Sequence, residues 1–205
     1  MSSTPDRTRV GSSVPELMAL VDAAGGGTGL FRSTLPGEYV DMRSPLAEAA
    51  ALLLLERSRV AAPAFAPVVE GLLDVLVGAV STIQVCARGT RESTVIYAVG
   101  ADWSVDVVVG AEGECTMGLL PTGAVPTDLV RQHLGLDAEL DLTLLIRGAA
   151  GPFDLVFVDG ALVNGNGDRA MVRGSGVPPS EFAALLESAV ADRLSSSRHA
   201  GSAVI

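Results

Sequence analysis

The spacing of apolar residues predicts helices in the first part of the chain, over residues 14–80. Residues 14–24 carry Pro15 near their start and apolar side chains at Leu17, Leu20 and Val21, which is the spacing of one helix face. A run of three glycines follows and ends this helix. We expect the small polar residues 1–13 to form a disordered tail.

Two further helices have a pattern that is typical of a helical hairpin. Ser44 and Pro45 are a typical N-cap and first helical residue, and strong helix formers follow them in LAEAAALLLLERS. The next helix has the sequence VVEGLLDVLV, which places Val68, Leu72 and Leu76 along one stripe. We expect these two helices to pack against each other.

From Ile83 onward the residues are β-branched and alternate in polarity, and this pattern occurs twice. Residues 83–89 align with residues 142–148, and both segments end in Arg-Gly. Residues 125–130 align with residues 177–182, and a Val-Pro pair opens each of these two segments before a helix. The alignment favours a repeated unit of strands followed by a helix. Chance similarity between valine-rich strands is the alternative.

Strands this short and this close in sequence favour antiparallel meanders, and a helix that closes a meander can cover one face of the sheet. The predicted strands are residues 83–85, 94–99, 105–109, 116–119, 142–146, 154–158, 161–163 and 170–172, with closing helices at 128–134 and 180–194. The predicted fold class is therefore α+β, with two pseudo-repeated meander-plus-helix units that form a sheet platform behind an N-terminal helical hairpin.

The same pattern gives the domain organisation. We predict a single domain over residues 14–194, with a helical part at 14–80, a first unit at 83–135 and a second unit at 142–194. Residues 195–205 are expected to be a second disordered tail.

Composition narrows the classes of partner. The chain of 205 residues carries 14 basic and 24 acidic side chains, a formal net charge of −10, and every basic residue is arginine. Nucleic-acid binding normally needs clustered cations, so we expect no nucleic-acid partner. The lack of lysine excludes P-loop lysine and Schiff-base chemistry. Aromatic residues are 4% of the chain, so the core must be built from Ala, Val and Leu.

The apolar segments and the cysteines indicate the compartment. Residues 1–11 have no apolar central region of a signal peptide, and the longest uncharged stretch, residues 75–87, is shorter than a membrane span of about 18 residues. We therefore expect a cytoplasmic protein without stable membrane insertion. Cys86 and Cys115 lie in apolar runs, which favours buried, reduced thiols over a disulfide or a reactive thiol.

Motifs give no positive case for catalysis, a metal or a cofactor. Residues 165–170 have the letters of GxGxxA, but a strand-like Met171-Val172 follows where a dinucleotide site needs a helix. A Gly/Asn hairpin turn explains this segment better, since Asn-Gly supplies the positive φ angles of tight hairpins. The two histidines and two cysteines lack the spacing of zinc ligands.

A binding surface is the stronger prediction. Trp103 is the only tryptophan and lies in a turn between two predicted strands, GADWS. The odd-numbered valines of the next strand share one face, which leaves Asp106 and Val108 on the other. An exposed Trp and Val beside acidic side chains would suit the docking of a helix or strand of another protein. The alternative is that Trp103 folds back over the edge of the core.

The order of elements is itself informative. A short helix precedes the hairpin LAEAAALLLLERSRVAAPAFAPVVEGLLDVLVGAVSTIQV, and two strand-strand-strand-helix units follow. The first hairpin helix ends in a Leu-rich, Arg-bearing turn at residues 52–60, and the second runs through Leu-x-x-Leu at 73–76 into the first strand. From residue 15 to about residue 194, this arrangement resembles the EspG family of ESX (type VII) secretion-associated proteins of actinobacteria. Members of that family are longer.

The resemblance implies a cytosolic chaperone that recognises helical secretion substrates of the PE–PPE type and keeps them soluble until export, without catalysis or a cofactor. A protein that covers an apolar helix end holds it out of aggregation by its binding free energy. The residues predicted to contact the partner are Trp103, Asp106 and Val108 on the first unit and Asn164, Asn166 and Arg169 on the second.

Two other functions remain open at this point. A small-molecule binder or a cryptic enzyme would have its pocket between the two units, lined by Asp, Arg and Tyr97. A self-associating module would use an open edge of the sheet, which leaves a homodimer open as well.

Overall fold

The described part of the protein is built on one antiparallel sheet of nine strands with helices on both faces. The computed structural model describes residues 9–25, 29–35, 49, 66–88, 93–134, 141–148, 153–158, 161–164, 169–172, 184, 187–188, 190–192 and 194–195. The strands are β1 (Arg9–Ser13), β2 (Ser81–Arg88), β3 (Ser93–Val99), β4 (Trp103–Val109), β5 (Glu114–Pro121), β6 (Asp141–Gly148), β7 (Phe153–Val158), β8 (Ala161–Asn164) and β9 (Arg169–Val172). The helices are α1 (Val14–Ala23), α2 (Leu30–Thr34), α3 (Ala66–Val77) and α4 (Val125–Leu134). The α+β class is as predicted.

The strand order across the sheet is β1-β5-β4-β3-β2-β6-β7-β8-β9. Each predicted strand lies within an observed one, and consecutive strands from β2 to β5 and from β6 to β9 form hairpins. The two meanders meet where β2 pairs with β6, in a register that sets Val85 opposite Leu144. The sheet is thus formed from two meanders joined at their first strands.

Three helices cover one side of the sheet, which we call the α1 face. Helices α1, α2 and α3 pack there on alternate side chains of β3, β4 and β5. The strand residues buried on this face are Ile96, Ala98, Val105, Val107, Val109, Cys115 and Met117. Leu17 of α1, Phe31 of α2 and Leu76 of α3 lie against them and are almost fully buried.

The other side, which we call the α4 face, is covered by α4 and by the helical residues Val190 and Leu194. Val125 and Leu129 of α4 pack there on strand residues that are at most 3% exposed. These strand residues are Ile83, Val85, Val95, Tyr97, Val99, Leu120 and Ile146. Strands β3, β4 and β5 are therefore buried on both faces, and their apolar residues occur at positions that point to either face.

Local sequence sets the start of α1. The Ser13 hydroxyl accepts a hydrogen bond from the Glu16 backbone N–H, and the Glu16 carboxylate accepts one from the Ser13 backbone N–H at 3.0 Å. This reciprocal capping box, with Pro15 in the first turn, satisfies N–H groups that a helix start leaves open. The Ser13 backbone hydrogen bond is also the main reason that the pKa of Glu16 is lowered.

Some sequence predictions need correction or lie outside the described residues. Residues 9–13, expected in a disordered tail, form β1 at the edge of the sheet, because their backbone pairs with β5. Helix α2 was not predicted, since its five residues are too few to show a helical period. The first hairpin helix near residues 44–58 and the tail 196–205 lie outside the described residues, whereas α3 confirms the second hairpin helix.

Candidate partner-binding surface

The exposure predicted for Trp103 is confirmed. Its side chain is 49% exposed at the first position of β4, and Val80, which precedes β2, is 46% exposed. These two are the exposed large apolar side chains among the residues that the structure describes. Pro121, which pairs with Trp103 at the end of β5, is exposed as well. We refer to Val80, Trp103 and Pro121 as the Trp103 patch.

Four hydrogen bonds fix the turn that carries Trp103. The Gly100 N–H donates to the Trp103 carbonyl at 3.0 Å, and the Thr122 N–H donates to the Asp102 carbonyl at 2.9 Å. The Thr122 hydroxyl also donates to the Gly100 carbonyl at 3.2 Å and lies 2.9 Å from the Ser104 hydroxyl. The backbone under the indole is therefore held in place before any partner arrives.

Glycine is required at position 100 for this turn to close against α3. A Cβ atom there would lie 2.6 Å from the Trp103 carbonyl oxygen and 3.6 Å from Cγ1 of Val75. Val80 comes directly before β2, and its N–H donates to the Val99 carbonyl of β3 at 2.9 Å. Val80 and Trp103 thus stand on either side of Gly100, about 10 Å apart at the usual strand spacing.

The prediction that Asp106 is exposed is wrong. This carboxylate is fully buried on the α4 face, where its Oδ2 lies 2.5 Å from Nη2 of Arg9 on β1. Gly118 of β5 lies between the two strands, and a Cβ atom there would stand 2.6 Å from Oδ1 of Asp106. The absence of a side chain at position 118 lets Arg9 reach across β5. Val108, also expected to be exposed, is half-buried against the core of the α4 face.

A second buried carboxylate ties α4 to the sheet. Asp128 is 2% exposed and accepts hydrogen bonds from Arg131 at 2.6 Å and from Gln132 at 2.7 Å. The hydroxyl of Tyr97, which is fully buried on β3, donates to Asp128 at 3.4 Å. Tyr97 and Asp106 are also direct cross-strand partners. The α4 face therefore buries the carboxylates of Asp106 and Asp128, and each of them lies beside an arginine.

The predicted residues of the second unit are not next to Trp103. Asn164 is the last residue of β8, Arg169 is the first residue of β9, and Asn166 lies outside the described residues. Strand order and direction place the end of β8 at the same end of the sheet as the start of β4. Five strand spacings separate β8 from β4, which is about 24 Å.

The thiols of Cys86 and Cys115 are free and do not form a disulfide with each other. Cys86 and Cys115 share one cross-strand row but lie three strand spacings apart, about 14 Å, which is beyond the reach of a disulfide. Burial, with smaller contributions from Glu16 and Glu114, raises the pKa of Cys115 to about 12, so this thiol stays protonated at neutral pH.

Within the described ranges, no three His, Cys, Asp or Glu side chains are grouped so that they could hold a metal ion. No helix in the described part of the chain is both long and apolar enough to cross a membrane. Val80 and Pro121 were not among the residues predicted from the sequence to contact a partner. Their exposure depends on where α3 and β5 end.

Comparison with known proteins does not identify a relative. The sequence matches no protein-family model, and no curated protein is significantly similar to it.

Proposed function

We propose that this chain is a cytosolic chaperone or adaptor of type VII (ESX) secretion, which binds helical PE–PPE-like substrate proteins and keeps them soluble for export. The observation that carries the proposal is the exposed Trp103 on a hydrogen-bonded turn. Tryptophan is enriched among the residues that dominate binding energy at protein interfaces. A side chain on a backbone that is already fixed loses less conformational freedom on binding.

The resemblance to the EspG family includes two repeated units, which we also propose for this chain. The register of β2 with β6 supports this arrangement, because Val85 pairs with Leu144, the residue to which the sequence alignment matches it. If a two-fold axis related the two meanders, it would pass through this pair and exchange Val85 with Leu144. The proposal thus describes a sheet platform whose first unit carries the Trp103 patch.

The alternative function is a small-molecule or catalytic pocket between the two units. The seam that the structure describes there is the β2–β6 ladder, in which Ile83, Val85 and Ile146 are fully buried. The buried Tyr97 and Asp128 belong to the first unit and hydrogen-bond each other. These contacts favour a binding protein without catalysis or a cofactor.

Capture from the native cytosol followed by reconstitution tests the proposal. We expect the tagged full-length protein to recover a helical secreted pair in stoichiometric amount, and the purified pair to scatter less light when the protein is added. Trp103→Ala should weaken this complex by about tenfold or more, as expected for a central interface tryptophan. Glu112→Ala, in the turn at the other end of β4, is the matched control.

Two results would oppose the chaperone role. One is recovery of the protein alone; the other is a captured pair whose binding is equal for the wild type and Trp103→Ala. Light scattering of the purified protein also determines whether it forms a homodimer.

A further inference from the structure

We infer that the Trp103 patch binds a partner helix whose apolar anchor side chain is flanked by lysine or arginine. The inference rests on the proposed function only for the helical form of the partner. It commits to the charge of the partner, which neither the proposed function nor the family resemblance specifies.

The apolar part of the surface is continuous around Gly100. Val75 of α3 stands over that glycine and is half-buried, so it fills the space between Val80 and Trp103. Val77 and Ala79 are half-buried next to Val80 along the chain. Single exposed apolar residues are common on protein surfaces, but an exposed Trp and Val joined by a third apolar side chain form a patch. Such a patch fits an apolar side chain of a partner.

Two exposed carboxylates lie beside the Trp103 and Val75 part of this patch. Asp102 is exposed at the tip of the turn beside Trp103, and Asp74 is exposed next to Val75 in the last turn of α3. The carbonyl groups at a helix C-terminus carry partial negative charge, and that turn of α3 has no basic side chain. Asp74 therefore adds a carboxylate where the helix dipole already disfavours one. A cation from a partner would lower the energy of both carboxylates and of the helix end.

An exposed basic side chain of the described sheet, Arg147, lies opposite Thr82 and so close to Val80, but it is away from Trp103 and Asp102. Arg147 of β6 lies three strand spacings from β4, about 14 Å, and donates to the Ser33 carbonyl. A second copy of the chain is a poor occupant, since a two-fold contact would bring Asp74 and Asp102 of both copies together. An anionic membrane surface would be repelled in the same way. A cationic helix is the occupant that the charges favour.

Intrinsic fluorescence tests the inference directly, because Trp103 is the only tryptophan in the chain. The probes are two helical peptides of about 20 residues without tryptophan, long enough to form stable helices. Both carry the same leucine face, flanked by lysine in one peptide and by glutamate in the other. We expect the lysine peptide to shift the Trp103 emission and to bind about tenfold more tightly than the glutamate peptide at low salt. In about 0.5 M NaCl this ratio should shrink severalfold.

Charge reversal in the patch provides the decisive variant. Asp102→Arg should weaken binding of the lysine peptide about fivefold and strengthen binding of the glutamate peptide. Glu112→Arg, an equal change of net charge in the turn at the far end of β4, should leave both affinities unchanged. Thermal unfolding of both variants verifies that they are folded.

Three outcomes would overturn the inference: no emission change with either peptide, equal affinity for both peptides, or equal behaviour of Asp102→Arg and Glu112→Arg. These results are distinct from those of the chaperone test. If the protein prefers the lysine peptide but captures no secretion substrate, the chaperone role is removed and the cation-binding patch is kept. If it captures a secretion substrate but does not prefer the lysine peptide, the chaperone role is kept and this inference is removed.

Discussion

The two faces of the sheet are filled by different chemistry. At the centre of the α1 face, apolar side chains of the strands meet apolar side chains of α1, α2 and α3. This side also holds the buried Thr34–Thr82 hydroxyl pair and the Asp22–Arg32 ion pair between α1 and α2. The α4 face instead places the Arg9–Asp106 ion pair and the Tyr97–Asp128 hydrogen bond beside its apolar core.

This difference shows how one sheet uses two kinds of interaction. Apolar contacts on the α1 face stabilise through the area that they bury, and they require no particular pairing of atoms. A buried charge is stable only with its partner at hydrogen-bonding distance. The polar groups of the α4 face therefore fix where β1 and α4 lie on the sheet, and the two faces should respond differently to mutation.

The largest effect is expected from the α1 face. Ile96 is fully buried between α3 and β4, and Ile96→Ala should lower the free energy of unfolding by about 3 kcal/mol, because it removes apolar contacts and leaves a cavity. Urea denaturation at low and high salt measures this loss, which should be the same at both salt concentrations. A loss that depends strongly on salt would mean that the faces do not differ as described.

Removal of the cation from the α4 face should have a somewhat smaller effect. Arg9→Met leaves the buried carboxylate of Asp106 without the guanidinium, and we expect a loss of about 2 kcal/mol, since the Arg9 side chain is 36% exposed. The double variant Arg9→Met/Asp106→Leu should recover much of that loss, because it buries no charge. A double variant less stable than Arg9→Met would show that Asp106 contributes through other contacts.

The glycine between these two side chains gives a test with a matched control. Gly118→Ala places a Cβ atom 2.6 Å from Oδ1 of Asp106 and should cost about 1–2 kcal/mol, because the ion pair must shift. Gly11→Ala in β1 meets no atom within 4 Å and should leave stability nearly unchanged. Equal thermal unfolding of the two variants would contradict the view that Gly118 makes room for Arg9 to reach Asp106.

Sequence patterns were sufficient for features that depend on neighbouring residues. The alternation of valines in β4 and the proline at the start of α1 identified those elements. A turn position indicated that Trp103 could be exposed, with folding back over the core edge as the alternative, and the structure shows it exposed. The strands of both meanders were likewise located from their own residues. Local propensity and period carry this information because the spacing of apolar residues follows the geometric period of each element.

Features that depend on distant residues could not be predicted. Asp106 was placed in solvent because alternation along β4 gives two faces but not which of them is covered. Its burial depends on Arg9, which is 97 residues away in β1, and on α4 above it. The same holds for Val80, whose exposure depends on how α3 and the Trp103 turn end at one edge.

The smallest expected effect on stability at neutral pH is that of replacing the Cys115 thiol on the α1 face. Burial raises the pKa of Cys115 from 9.0 to about 12, so the folded protein keeps this proton at pH values where the unfolded chain releases it. The stabilisation is fully present below about pH 9 and is lost as the pH rises towards 12. In that window the wild type should lose up to about 1.4 kcal/mol per pH unit more than Cys115→Ala.

Cys86 is the matched control for this prediction, because it is half-buried on the same cross-strand row. Urea denaturation between pH 8 and pH 10.5 (on the order of one pH unit either side of the thiol's unfolded value) compares Cys115→Ala with Cys86→Ala. The free energy of unfolding should fall less steeply with pH in Cys115→Ala than in the wild type. In Cys86→Ala it should fall as steeply as in the wild type. If the stability of both variants fell with pH as steeply as that of the wild type, water would reach Cys115 in the folded protein. The apolar part of the α1 face would then not extend to β5.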